Sequence, residues 1–217
     1  MRPLIISVET VRPYGILARD GGIALDSLLG WVVASSDPER FGDQVISPEL
    51  PLLEVWRSPE GQPLWAATPL YPTDPHLLTR YYHRRSPDHY IQLLEKPASR
   101  PSSGPHKELR VPSPVYAPGT LSALAIGDPE AIGAMLGSVT SVGRHRNAAG
   151  AVRSWDIAEL DVPQDAFDAF LESLLKRRPV PLRYLKSLGG PTEVTNYERV
   201  GWTPPYYYAP WHELCRI

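Results

Sequence analysis

Cysteine is nearly missing from this sequence of 217 residues, with Cys215 as its single instance. One thiol excludes an internal disulfide framework and a cysteine-based zinc site, and it fits a reducing compartment. A large charge excess is also missing. The formal net charge is −2, so any surface for nucleic acid has to be a local patch. No run approaches the ~18 apolar residues of a membrane span, and the first residues lack a basic stretch followed by an apolar one. Those absences predict a cytoplasmic protein with no membrane partner. There are no internal repeats. The Gly-Lys-Ser/Thr ending of a phosphate loop is absent, and no cofactor or metal is expected.

Proline is abundant. Its 25 copies are about twice the usual frequency of roughly 5% and predict long non-helical connections. Pro3 to Val11 is rich in β-branched residues and reads as a strand with Ser7 and Glu9 on one face. Leu25, Leu28, Leu29, Val32 and Val33 recur at helical spacing, predicting a helix from about Ala24 to Ala34 with Asp26 in its first turn. Leu52–Arg57 and Leu64–Thr68 flank the turn residues Ser58-Pro59-Glu60-Gly61 and read as a hairpin. A strand over Thr120–Ile126 follows. Asp128 and Pro129 then start a short helix with an Ile132, Met135, Leu136 and Val139 stripe. Another strand covers Ala151–Leu160. Pro163 opens a last helix with Phe167, Phe170, Leu171 and Leu174 on one face, its acids early and Lys176, Arg177 and Arg178 late.

Between about 71 and 118 the texture changes. Prolines punctuate it, and a helical turn or two around His76–Arg84 is the only regular structure expected there. Between 76 and 110, Arg80, Arg84, Arg85, Lys96, Arg100, Lys107 and Arg110 outnumber Asp88, Glu95 and Glu108, so the chain is locally basic although slightly acidic as a whole. Tyr81-Tyr82-His83-Arg84-Arg85 mixes aromatics with cations, a composition that stacks bases and neutralises phosphates, although a solvated surface loop has the same look. We read it as an insertion that orders on a partner. Without it, the element order matches the split β-α-β-β-α-β plan of an α+β, ferredoxin-like or RRM-like domain spanning 1–160. Residues 161–217 form a helical and aromatic C-terminal extension packed on that domain. Two helices on one sheet face would leave the other for a ligand. The aromatics Tyr206 to Trp211 read as core or subunit interface.

The stretch Ser141–Trp155 is the most distinctive. Gly143 and Gly150 bound Arg144, His145, Arg146 and Asn147, and no bulky apolar side chain lies between them. It follows a helix, where a mononucleotide phosphate loop would precede one. Two readings stay open: an ordinary connection with solvated arginines, or an RNA clamp. In the clamp Arg144 and Arg146 would take phosphates while His145 or Asn147 touches sugar or base. Asp26, with no second carboxylate at matching spacing, reads as structural. His83 and His89 are poorly spaced as metal ligands.

Gly143-Arg144-His145-Arg146 with Gly150-Ala151-Val152 and Trp155 resembles the glycine-rich loop of the RAMP superfamily of CRISPR-associated proteins. Gly22-Ile23-Ala24-Leu25-Asp26-Ser27-Leu28-Leu29 is similar to that family's early segment, where an aspartate precedes a Leu-Leu pair. The nearest likeness is to the subunit of type IV complexes at the 5′ handle of the guide RNA. Together the motifs cover under a quarter of the chain. The family's Gly-aromatic-Gly close is here Gly150-Ala151, and alanine adopts positive φ less freely than glycine. The resemblance implies a non-catalytic subunit capping the 5′ handle of the guide RNA (crRNA) in a complex that targets DNA. Its partners would be a backbone RAMP subunit and a large subunit, and the insertion would be thumb-like. A metal-independent endoribonuclease, with His145 or His83 as acid or base, and an interaction module without RNA are the alternatives.

Overall fold

Strict alternation in the first strand sets the architecture. β1 (Arg2–Thr10) buries Leu4, Ile6, Val8 and Thr10 and turns Ile5, Ser7 and Glu9 to the opposite face. The computed structural model describes residues 1–15, 22–37, 48–84, 109–143, 150–188, 197–204 and 212–216. After β2 (Tyr14–Gly15) and β3 (Ile23–Ala24) comes α1 (Leu25–Ser36), and then the strands β4 (Glu54–Arg57), β5 (Pro63–Trp65) and β6 (Pro69–Pro72). Strands β7 (Leu77–Arg84), β8 (Leu109–Tyr116) and β9 (Thr120–Gly127) precede α2 (Pro129–Leu136) and β10 (Val152–Glu159). A 3₁₀ turn over Gln164–Ala166 leads into α3 (Phe167–Leu175). The chain continues through β11 (Val180–Pro181), α4 (Leu182–Ser187), β12 (Tyr197–Val200) and β13 (Glu213–Arg216). Among the described residues no helix is long and apolar enough to cross a membrane.

The result is a mixed α+β fold around a five-stranded sheet of order β10-β1-β9-β6-β3, antiparallel at every pairing. Helices α1 and α2 close one face. Leu25 and Leu29 from α1, and Ile132 and Leu136 from α2, join Leu4, Ile6, Val8, Leu121, Ala123 and Ala125 in one buried cluster. Each large side chain there contributes about 1.5–3 kcal/mol of transfer free energy. α2 starts as its sequence demands: the Asp128 carboxylate accepts from the amides of Glu130 and Ala131, with Pro129 in the first turn. Gly127, just before it, has no room for a side chain. A Cβ there would lie 2.6 Å from both the Pro51 carbonyl oxygen and Ile132 Cδ1.

The opposite face is not left open as expected. Phe167, Phe170, Leu171 and Leu174 of α3 pack with Leu124, Ile126 and Ala66, covering one end of it. Beside this contact the β4–β5 hairpin meets the C-terminal sheet (β11-β13-β12) in a second cluster of Leu64, Val180, Tyr184, Trp202 and Cys215. Trp56 anchors it, with ring centroids 5.7 Å from both Tyr184 and Trp202. The hairpin turn uses the predicted residues. Gly61 takes φ 88°, and its amide donates to the Ser58 carbonyl at 2.9 Å.

Two expectations need correcting. His76–Arg84 is not helical: β7 pairs with β8 in an eight-residue antiparallel ladder, and β8 also takes β2, making a separate sheet of order β2-β8-β7. The prolines of β8 do not break this ladder. The Ala117 amide donates to the His76 carbonyl, so alternate pairs such as Thr79–Pro114 and Tyr81–Pro112 are the non-hydrogen-bonded ones. The nitrogens of Pro112 and Pro114 therefore point away from β7, so neither proline costs a bond of this ladder. Second, Arg178 is not one of the last residues of the helix, which ends at Leu175. It lies past α3, buried, with its guanidinium on Asp26.

Candidate nucleic-acid interface

The glycine-bounded stretch rises from a short two-stranded neck. Ser141 and Ala151 form an antiparallel bridge, the Val142 amide donates to the Gly150 carbonyl at 2.9 Å, and the Val152 amide donates to the Thr140 carbonyl at 2.9 Å. Gly143 and Gly150 stand where the chain leaves and rejoins the neck, at φ 82° and 67°. Left-handed backbone at both points is what these two glycines permit. Ala151 stands in the extended bridge, one position beyond the left-handed one, so its methyl group meets no backbone objection. Arg144, His145, Arg146 and Asn147 lie outside the described residues.

The neck is fastened to the second predicted segment by the link after β1. The Val11 amide donates to the Ala151 carbonyl at 2.8 Å, and the Gly150 amide donates to the Pro13 carbonyl at 2.9 Å. The next residues, Tyr14 and Gly15, pair with Tyr116 and Val115 of β8. One short stretch of chain thus ties the base of the glycine loop to the root of the β7–β8 ribbon. Arg12 sits within it, exposed, with no carboxylate in salt-bridge distance among the described residues. From sequence alone Arg12 was given no functional role. Its signal was present, a cation beside a proline that freezes the backbone, but nothing local said what it stands next to.

On the ribbon the register places Arg80 across from Ser113, Tyr81 from Pro112, Tyr82 from Val111, His83 from Arg110 and Arg84 from Leu109. No cross-strand partner is acidic. Leu77, Leu78 and Tyr81 are 58%, 38% and 46% exposed. Arg85, Lys96, Arg100 and Lys107 fall outside the described residues. An exposed aromatic on a ribbon whose ladder carries three arginines can stack a base and hold the adjoining phosphates.

The uncovered part of the main sheet has a different character. Ser7 and Ser122 hydroxyls meet at 2.9 Å, and the register sets Asp156 beside Ser7 and Tyr71 beside Ser122. Glu9 lies in the next row, bridged to Arg153 at 2.6 Å. Carboxylates at Glu9 and Asp156 oppose a phosphate chain laid across this face.

Asp26 and Arg178 form a buried pair, 2.9 Å apart, with side chains 3% and 2% exposed. The same guanidinium donates to the carbonyls of Trp65 at 2.6 Å, Ala67 at 3.2 Å and Trp202 at 2.7 Å. The other Asp26 oxygen accepts from the Ser27 amide at 2.9 Å. A carboxylate so enclosed is a clamp between α1, β5 and the C-terminal sheet. The Cys215 thiol is pushed up to about 12, first by burial and then by the Glu213 carboxylate, so it stays protonated and is no nucleophile at neutral pH. Among the described residues no three His, Cys, Asp or Glu side chains are grouped to hold a metal ion.

No protein-family model matches the chain, and a search of curated proteins gives no significant match.

Proposed function

We propose that the chain binds the backbone of single-stranded RNA along a track running from the 144–149 loop, past Arg12, to the β7–β8 ribbon. Its role would be a non-catalytic cap on the 5′ handle of a guide RNA in a type IV CRISPR ribonucleoprotein. The observation that carries this reading is the link at residues 11–15, which bonds to the loop neck on one side and to β8 on the other. Two stretches picked out separately by composition are thereby neighbours. A ferredoxin-like RAMP body belongs to the same proposal. The strand order β10-β1-β9-β6, with α1 after β1 and α2 after β9, supports it, and the β7–β8 ribbon would be the thumb-like insertion.

In this mechanism Arg144, Arg146 and Arg12 neutralise successive phosphates, and Tyr81 stacks a base splayed from the strand. His145 and Asn147 reach sugar or base edges. The guide, not the protein, reads the target by pairing. A backbone RAMP subunit and a large subunit would complete the particle.

Filter binding of the purified chain to repeat-containing RNA over a salt series tests the proposal. Binding should weaken linearly on logarithmic axes, by about 0.7 for each phosphate contact on a single strand. Arg144→Ala/Arg146→Ala should lower that slope by about two contacts and Arg12→Ala by about one. The RNA should remain intact. Absence of binding, even with the partner subunits added, overturns the RNA reading. Cleavage lost in His145→Ala would replace the cap with an endoribonuclease.

A further inference from the structure

The main sheet ends at β10, and among the described residues no strand pairs with the outer side of that strand beyond Val152. The Leu160 amide donates to the Pro3 carbonyl, which fixes the alternation. The N–H and C=O groups of Trp155, Ile157 and Glu159 point away from β1. Natural sheets blunt such edges with proline, lysine or bulges. In β8, Pro112 and Pro114 stand with their nitrogens turned away from β7. Along 154–159 β10 carries neither proline nor lysine, and its one register shift lies earlier, at Arg153. Beside the edge runs a groove of about 430 Å³ against α2, where Gly133 and Gly137 keep the helix surface low next to Trp155 and Ile157.

We propose that this edge pairs with the same edge of a second copy of the chain, antiparallel about a two-fold axis through Ile157, joining two five-stranded sheets into one. The sequence of the strand complements itself in that register. Ile157 meets its own copy, Trp155 meets Glu159, and Asp156 meets Ala158. Arg153 meets Asp161, an exposed carboxylate just past the strand, so the two-fold makes two opposite-charge pairs. Centring instead on Asp156 would set two carboxylates face to face. The Gly133–Gly137 groove, lined on its other side by Trp155 and Ile157, lies where the two α2 helices approach. The proposal rests on β10 and α2 alone and stands whether or not RNA binds.

Sedimentation equilibrium of the full chain over a concentration series is the test. The 24.1 kDa chain should reach twice that mass reversibly. Ile157→Pro deletes an N–H that points away from β1, together with a side chain packed on the core. Gly133→Arg fills the groove, and its Cβ would sit at an ordinary 3.5 Å from Ile157 Cδ1. Each should weaken dimerisation by about tenfold or more, because each acts twice across the axis. Asp161→Arg, which opposes Arg153 with a like charge, should weaken it too. Circular dichroism and thermal unfolding report whether each variant is folded, and Gly133→Arg decides should Ile157→Pro fail to fold. A chain that is monomeric at every concentration overturns the proposal. So does a dimer unaffected by Gly133→Arg and Asp161→Arg.

Discussion

In the body of the protein four arginines meet carboxylates: Arg178 meets Asp26 and also three carbonyls, Arg183 meets Glu60 and Glu213, Arg153 meets Glu9, and Arg2 meets Glu159. On the β7–β8 ribbon the ladder sets Arg80 across from Ser113, Arg84 across from Leu109, and Arg110 across from His83. The body joins cations to anions and gains a defined packing. The ladder sets no carboxylate directly across from these three arginines. Substituting arginines in the two regions should therefore separate stability from binding.

The largest stability effect belongs to Arg178. Arg178→Met leaves the Asp26 carboxylate buried without its guanidinium and strips a donor from three carbonyls, a loss of about 3–5 kcal/mol. Chemical denaturation of the variant checks this. A combined Asp26→Leu/Arg178→Met variant should recover part of the loss, because it buries no lone charge. A cost under about 1 kcal/mol for Arg178→Met would mean that water reaches the pair and that its burial is not what fixes it.

Next comes Arg183. Its guanidinium lies 5.3 Å from the Trp56 ring centroid and bonds Glu213, which in turn accepts from Trp202 Nε1 at 3.2 Å. Arg183→Ala should cost roughly 1–2 kcal/mol through lost stacking and two charged hydrogen bonds, of which the more exposed one to Glu60 is screened by solvent. Thermal unfolding would read it, and Arg183→Lys, which keeps the charge but not the plane, should recover less than half.

How far these settings could be seen in advance differs by element. β1, β9, α2 and the β4–β5 hairpin were legible because their signals are local. They show strict alternation, an Asp-Pro helix start, and a turn whose glycine takes positive φ. The β7–β8 ladder was not, since Pro112 and Pro114 count against a strand until the register shows that their nitrogens face outward. Asp26 was read as structural, but its partner is 152 residues away, and no local pattern connects them. The glycine loop was marked by composition. That its neck is tied to the ribbon was not, because the tie runs through Pro13 and Tyr14, which carry no local sign of it.

On the ribbon the prediction reverses. Arg80→Ser/Arg84→Ser/Arg110→Ser should leave the unfolding free energy within about 0.5 kcal/mol of the parent. The same variant should lower the salt dependence of RNA binding by up to three contacts, about 0.7 each. Denaturation and filter binding on one preparation give both numbers. A variant that loses stability and keeps RNA affinity would erase the contrast between ribbon and body.

The smallest effect sharpens the contrast most. Arg153 and Glu9 are paired at 2.6 Å with side chains 62% and 42% exposed, so solvent screens them, and Arg153→Ala should cost only about 0–1 kcal/mol in the monomer. Yet Arg153 is also the residue that would meet Asp161 of a second copy. Its substitution should therefore be nearly silent in dilute samples and grow with protein concentration, as a contact made only in the dimer must. Thermal unfolding of parent and variant over a dilution series distinguishes the two roles. A cost constant across the series assigns Arg153 to Glu9 alone. A cost that rises with concentration makes it the one arginine of the body whose charge is used both within the fold and beyond it.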